Sequence, residues 1–432
     1  MKGSVNNKWP RRFVLFILWG MVSVGGTLLS QVVSSATSEK SLTAFPSEAK
    51  SKPGPAKLSV RKVFAEDLSS PVGWLLRGGI LDTVNGPAYI TPDGERIFLS
   101  DMLVNHGRPR LRWLEWRKVK KSGSKVYKEI SCSTPTSPRL GAIFTDLAFL
   151  PQRKEMLAIA CHRLYLLDSS TLDVKRVLLD GQVMGPISVA ADNSRVLVQA
   201  SGAHGINGST VVVEGADEVV ALATSTWTVE ESWKLPGKLA GLGITGDGKS
   251  AVLLLHATND ADSNCVLWIR DFPFSASETR SLPTGHTCGP SFYRKLLPAV
   301  RSDPNLIIEP SLLLRVWDVR KGMLVRQQEL QPPGIDEKEI NDFAFRISPD
   351  GGYVALVVNS NLFFQEMLVI DTLSGKIVFE GKKDSYSQAF RGIDMVRTTA
   401  REGVSSDISA DGRFVLSARG KRITVFEVAE LQ

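Results

Sequence analysis

Asn341-Asp342-Phe343-Ala344-Phe345-Arg346-Ile347-Ser348, the turn Pro349-Asp350-Gly351, Tyr353 to Val358, Met367-Leu368-Val369-Ile370-Asp371, the turn Leu373-Ser374-Gly375 and Lys376 to Phe379 together read as four short strands. Valine, isoleucine, tyrosine and phenylalanine suit a pleated, half-buried surface, and Asp-Gly and Ser-Gly supply turn geometry. The same turn recurs at Ala88-Tyr89-Ile90-Thr91-Pro92-Asp93-Gly94, at Gly243-Ile244-Thr245-Gly246-Asp247-Gly248 and at Ile408-Ser409-Ala410-Asp411-Gly412. Weaker copies stand at Ala191-Asp192-Asn193, Leu150-Pro151-Gln152 and Ser302-Asp303-Pro304. Seven turns centred near 93, 152, 192, 247, 303, 350 and 411 give a mean period of about 53 residues, slightly above the ordinary range for repeats of this kind. Units of that length bury their faces against neighbours. Four antiparallel strands repeated seven times predict an all-β fold, a seven-bladed β-propeller.

The turn Ser348 to Gly351 and the strand endings Leu314-Arg315-Val316-Trp317-Asp318 and Leu368-Val369-Ile370-Asp371 resemble those of WD-repeat and YVTN-type propellers. The resemblance covers roughly residues 58 to 432. Only Trp317-Asp318 keeps the WD dipeptide, and the Gly-His pair of the stricter pattern is missing from its expected places. The resemblance implies a fold and leaves function open, because such rings serve as scaffolds, binding proteins and sometimes enzymes. The last copy, Phe414 to Ala418 and Arg422 to Val428, is one strand short. Leu58-Ser59-Val60-Arg61-Lys62-Val63-Phe64 is an orphan strand at the other end, expected to complete that blade and close the ring.

Residues 1–36 carry Lys2, Lys8, Arg11 and Arg12, then the apolar stretch Phe13 to Leu29, then Ser34-Ser35-Ala36, the pattern of a secretory signal. An uncleaved membrane anchor is the competing reading. Residues 37–57 form a polar linker, and 58–432 the propeller. The expected location is outside the cytoplasm, periplasmic or secreted, with the membrane reached only through an uncleaved N-terminal segment.

The formal charge of +7 includes those four basic residues, and without them it falls to +3. So small an excess provides no field for nucleic acid. Lys118, Lys120, Lys121, Lys125 and Lys128 read as a solvated turn between strands. The four cysteines, Cys132, Cys161, Cys265 and Cys288, lack metal-ligand spacing and allow three disulfide connectivities. Cys132–Cys161 and Cys265–Cys288 are expected, since each pair lies within one blade or adjacent blades.

Sites are harder to read. Asp260-Ala261-Asp262-Ser263-Asn264 alternates oxygen ligands like the opening of a calcium loop, with Asp271 at the twelfth position. Cys265 stands where such a loop needs glycine, so the expectation is no cofactor, with calcium at Asp260, Asp262 and Asn264 as the alternative. Asp146 and Asp342 each precede an inner strand, near the channel mouth, where they could meet a cation or bond turn amides. The sequence holds neither a Gly-x-Ser-x-Gly elbow nor a phosphate loop, and Gly202 to Gly208 is followed by no helix. Trp113, Trp116, Trp227, Trp233, Trp268 and Trp317 are expected within strands, packed between blades.

First-to-second and third-to-fourth turns share one end of each blade and are mostly tight. The opposite end carries the insertions Met102 to Pro109, Ser201 to Glu218, Ala257 to Asn264 and Lys382 to Gly403. Long loops on a rigid ring suit binding. The expectation is a monomeric, non-catalytic scaffold that binds a protein or peptide there and binds no nucleic acid. The alternative is an extracytoplasmic propeller enzyme resembling metal-dependent lactonases or quinone-cofactor dehydrogenases.

Overall fold

A computed structural model describes residues 58–67, 88–103, 108–118, 125–129, 144–180, 183–200, 204–207, 210–213, 218–257, 264–288, 294–298, 303–309, 313–329, 340–349, 351–360, 363–371, 374–385, 404–419 and 422–430. The chain divides into two compact units, Met1–Lys52 and Pro53–Gln432, and every described residue belongs to the second. The expected leader 1–36 and linker 37–57 lie outside the described residues. Among the described residues no helix is long and apolar enough to cross a membrane.

The second unit is a ring of seven four-stranded antiparallel blades. From the bore outward, blade I runs Ala88–Ile90, Ile97–Leu103, Arg108–Leu114 and Lys125–Glu129, and blade II Phe144–Leu150, Glu155–Ala160, Arg163–Asp168 and Val174–Leu179. Blade III holds Val183–Val189, Arg195–Ala200, Glu218–Ala223 and Thr228–Lys234, and blade IV Leu239–Ile244, Ser250–His256, Asn264–Asp271 and Arg280–Thr287. Blade V holds Leu297–Pro298, Leu306–Glu309, Leu313–Asp318 and Met323–Glu329. Blade VI holds Ile340–Ile347, Tyr353–Ser360, Phe363–Asp371 and Ile377–Glu380. Blade VII takes Val404–Ile408, Phe414–Arg419 and Arg422–Glu430 from the C-terminus, and its outermost strand, Leu58–Asp67, from the other end of the propeller. That strand pairs with the last one from Leu58 opposite Glu430 to Asp67 opposite Arg422, closing the ring.

The repeating turn is a small hydrogen-bonded module. A Ser or Thr hydroxyl two residues before the turn aspartate accepts the amide that begins the second strand: Arg96 N to Thr91 Oγ1 at 3.0 Å, Ser250 N to Thr245 Oγ1 at 3.0 Å, Tyr353 N to Ser348 Oγ at 3.0 Å and Phe414 N to Ser409 Oγ at 2.9 Å. The aspartate in turn accepts from that hydroxyl and from a following amide, as Asp247 does from Thr245 at 2.7 Å and from Lys249 N at 3.1 Å. The next residue takes a positive φ, and where glycine is missing Asn193 adopts it at 57°, while in blade II it falls one residue later, on Lys154 at 51°. Third strands end on aspartates for a related reason: Asp168 accepts the amides of Ser170 and Thr171, and Asp318 those of Arg320 and Lys321. These contacts hold the Asp168 carboxyl well below the usual carboxylate range, led by the Ser170 hydroxyl.

Second strands lie between neighbouring blades on both faces, so Ser250–His256 is buried throughout and carries an unbroken apolar run. Outermost strands alternate, as Arg280–Thr287 does. The buried side chains gather in seven clusters, one at each blade interface. Phe414, Leu416 and Val425 of blade VII, for example, pack on Ile90, Ile97, Leu99 and Trp116 of blade I. Trp113, Trp233, Trp268 and Trp317 lie in strands as expected, but Trp116 and Trp227 stand in third-to-fourth turns. Trp116 reaches from its turn to donate to the Gly94 carbonyl at 2.9 Å, its ring 5.5 Å from that of Phe414. Cys265 and Cys288 form a disulfide at the loop end of blade IV. Cys161 is also disulfide-bonded, and Cys132 lies outside the described residues.

Candidate functional site in the central bore

Counting four residues back from each turn aspartate, or its substitute Gln152, gives Tyr89, Ala148, Ser188, Arg346 and Asp407 on five inner strands. All five line one cavity of about 290 Å³ in the bore. Their shared repeat position explains this, because equivalent residues of symmetry-related strands project the same way. The rest of the wall is mostly apolar, with Ile90, Phe149, Val189, Ile347 and Ile408, and Pro92 and Ala410 place it towards the tight turns.

Blade IV differs. Its equivalent residue is Gly243, because the chain running from blade IV to blade V passes inside the ring. Arg294–Lys295 pairs in parallel with Gly241 and Leu242, and Leu296 N donates to the Leu242 carbonyl at 2.9 Å. A Cβ on Gly243 would lie 2.6 Å from the Leu296 Cβ. Glycine here admits the extra strand, and Leu296 takes over the lining.

Asp146 is buried, and its carboxylate ties three blades. Oδ1 accepts from the Tyr89 hydroxyl of blade I and from Leu147 N at 2.9 Å, and Oδ2 accepts Ile187 N of blade III at 2.6 Å. Leu147 N also donates to the Tyr89 hydroxyl at 3.1 Å. Burial, and then the Asp146 charge, push the Tyr89 phenol well above its ordinary range, which keeps it a neutral hydrogen-bond donor at neutral pH. Asp407 of blade VII accepts Ile90 N at 2.9 Å, and Arg346 Nε of blade VI stands 3.4 Å from it. Arg346 Nη1 donates to the Phe345 carbonyl at 2.9 Å. Asp146 thus accepts the amides of Leu147 in its own strand and Ile187 of blade III. Asp342 lies in the same inner-strand layer, opposite Asn359 in blade VI.

Asn264 is exposed at the start of the third strand of blade IV, and Asp271 ends that strand. The seven steps between them span about 23 Å of extended chain, so they cannot close one calcium loop. Asp271 instead accepts from the Ser250 hydroxyl and faces Arg280 Nη2 at 3.3 Å. Asp260 and Asp262 lie outside the described residues, among which no cluster of three or more His, Cys, Asp or Glu residues could hold a metal.

Two buried carboxylates stand away from the bore. Glu309, 0% exposed, lies 3.1 Å from His286 Nε2 and 3.3 Å from Arg315 Nη1, and accepts from Trp317 Nε1 at 3.1 Å, joining blades IV and V. Glu366 of blade VI meets Lys62 Nζ at 2.6 Å and the Thr424 hydroxyl at 2.8 Å, both from blade VII. Tyr89, Ser188, Arg346 and Asp407 escape a motif search, and the signal that would have found them is the repeat column four residues before the turn. Glu309 and Glu366 have no such signal.

No family model matches the sequence, and no curated protein matches it. Solved structures do. One chain of a structure titled "Crystal Structure of Mitotic Checkpoint Complex" is similar at 10% identity and a TM-score of 0.50, over 89% of this chain and 98% of that one. At that identity the likeness is one of fold, and it places this chain among β-propellers.

Proposed function

We propose that the chain is an extracytoplasmic, non-catalytic scaffold of the WD-repeat-like kind, whose long-loop face captures a protein or peptide. The observation that carries this reading is the insertion in blade III. Between its second and third strands the chain forms a separate hairpin, His204–Asn207 paired with Thr210–Val213. The first-to-second turns at the other end of the blades are short and internally bonded. A ring braced at every interface, with a separate hairpin raised on its long-loop face, presents a surface for binding. The Cys265–Cys288 disulfide and the signal-like N-terminus support export. In the bore, the Asp146 carboxylate and the Tyr89 phenol are committed to holding blades together, which favours binding over chemistry.

Deleting Ala203 to Gly215 tests the reading. Ser201, Gly202, Ala216 and Asp217 remain to join Ala200 to Glu218, which already face each other across the ladder. The deletion is expected to leave the melting temperature nearly unchanged, since a doubling of loop length changes closure by only about 0.6 kcal/mol, and to reduce capture of partners pulled down from the exported fraction. Lys376→Ala, exposed beside a tight turn, is the control. Arg413 is a poorer one, being held 2.6 Å from Glu427. Capture lost in the Lys376 variant and kept in the deletion would put binding on the other face.

A further inference from the structure

The polar groups lining the bore differ in what they leave unsatisfied. The Asp146 and Asp407 oxygens are taken up by the amides of Leu147, Ile187 and Ile90, by Tyr89 and by Arg346. The donors are not all used. Arg346 spends Nε on Asp407 and Nη1 on the Phe345 carbonyl, and Nη2 has no partner among the described residues. The Ser188 hydroxyl, on the adjoining stretch of wall and only 2% exposed, also has none among them. A guanidinium presents donors in a planar fork that fits a carboxylate through two parallel bonds. Phe149, Val189, Ile347 and Ile408, each part-exposed, add apolar side chains to the lining. The cavity volume equals that of about ten waters, at the small end of ligand sites.

We propose that the bore is a binding site for a small organic monocarboxylate, its carboxylate on Arg346 and Ser188 and its short apolar body against the aliphatic wall. This site lies towards the tight-turn end and is independent of partner capture by the long loops. Asp407 and the Phe345 carbonyl set the orientation: they hold Nε and one Nη1 hydrogen and leave Nη2 for the ligand. Two carboxylates already near the bore select against multiply charged anions, because each added charge meets like charge in a low-dielectric space.

Butyrate is the probe, with butyramide as its neutral isostere and inorganic phosphate as an apolar-free anion. Ligand-observed saturation-transfer NMR on the full propeller is expected to show butyrate binding, with butyramide and phosphate each weaker by about tenfold or more. Arg346→Gln is expected to abolish the butyrate signal. Arg346→Lys, which keeps the charge and loses the fork, and Ser188→Ala are expected to weaken it while melting close to wild type, so the test stands even if Arg346→Gln folds poorly. Butyrate giving no signal, butyrate and butyramide binding equally, phosphate binding in preference to butyrate, or unchanged binding in both Arg346→Lys and Ser188→Ala would each overturn the proposal.

Discussion

Glu309 shows how a single residue can carry an interface. Burial by itself would raise its carboxyl, but the hydrogen bond and charge of His286, the charge of Arg315 and the Trp317 indole outweigh burial and hold it below the ordinary glutamate range. Glu309→Gln strands the opposing groups of blades IV and V and is expected to cost about 3–5 kcal/mol in urea unfolding at neutral pH. The sign with pH follows from the depressed folded value. The stabilisation is complete above the unfolded pKa of about 4.3 and is lost as pH falls through the lower folded one. Wild type and variant should therefore converge in stability at acid pH, and a gap that widens on acidification would refute the assignment. Tyr89→Phe removes one donor to Asp146 and the acceptor for Leu147 N. It is expected to lower stability by about 1–3 kcal/mol in the same measurement, with Asp146 still held by the amides of Leu147 and Ile187.

At the scale of the element, the turn module separates local from interfacial cost. Gly351, with φ +72°, has nothing within 4 Å of a built Cβ, whereas a Cβ on Gly94, with φ +68°, would run into the Phe414 ring of blade VII. Gly351→Ala is expected to cost about 1–2 kcal/mol, the left-handed penalty alone, and Gly94→Ala clearly more. Equal losses in denaturant titrations would mean that the ring of Phe414 yields freely. The modules were legible in the sequence because each rests on residues close in the chain, such as Thr245, Asp247, Gly248 and Ser250. The strand Arg294–Lys295 was not. It is two residues long, its pairing with Gly241 and Leu242 is parallel, and Gly243 reads as an ordinary turn-proximal glycine until Leu296 is found in front of it.

At the scale of the molecule, the ring is held shut by Leu58–Asp67. Lys62 lies 2.6 Å from the buried Glu366 of blade VI, and Arg61 lies 2.7 Å from Glu427 of the final strand. A chain starting at Leu58 is expected to melt cooperatively at the temperature of the full-length protein. One starting at Leu68 exposes the edge of Arg422–Glu430, takes Lys62 from the buried Glu366 while leaving it Thr424 and Arg422, and should melt several degrees lower and associate through the bare edge, as size-exclusion chromatography would show. Identical melting of the two would mean that the last blade is stable with three strands.

The sequence by itself determined the blade count, the four-strand unit, the closing strand and the faces on which short turns and insertions fall. The closing strand was read from the strand missing in the last copy; the rest depend on contacts between neighbours in the chain and on a period repeated seven times, so that errors at Gln152 or Pro304 were corrected by the other copies. Only the tertiary structure decided which polar residues meet. Tyr89 and Asp146 are 57 residues apart, Glu366 and Thr424 58, and Lys62 and Glu366 304. Each of those pairings depends on the tilt and register of one blade against the next, a quantity with no period and no local signature. The bore was half legible for the same reason: the repeat column names its lining residues, but which of their donors are spent and which remain open is settled across the blade interfaces.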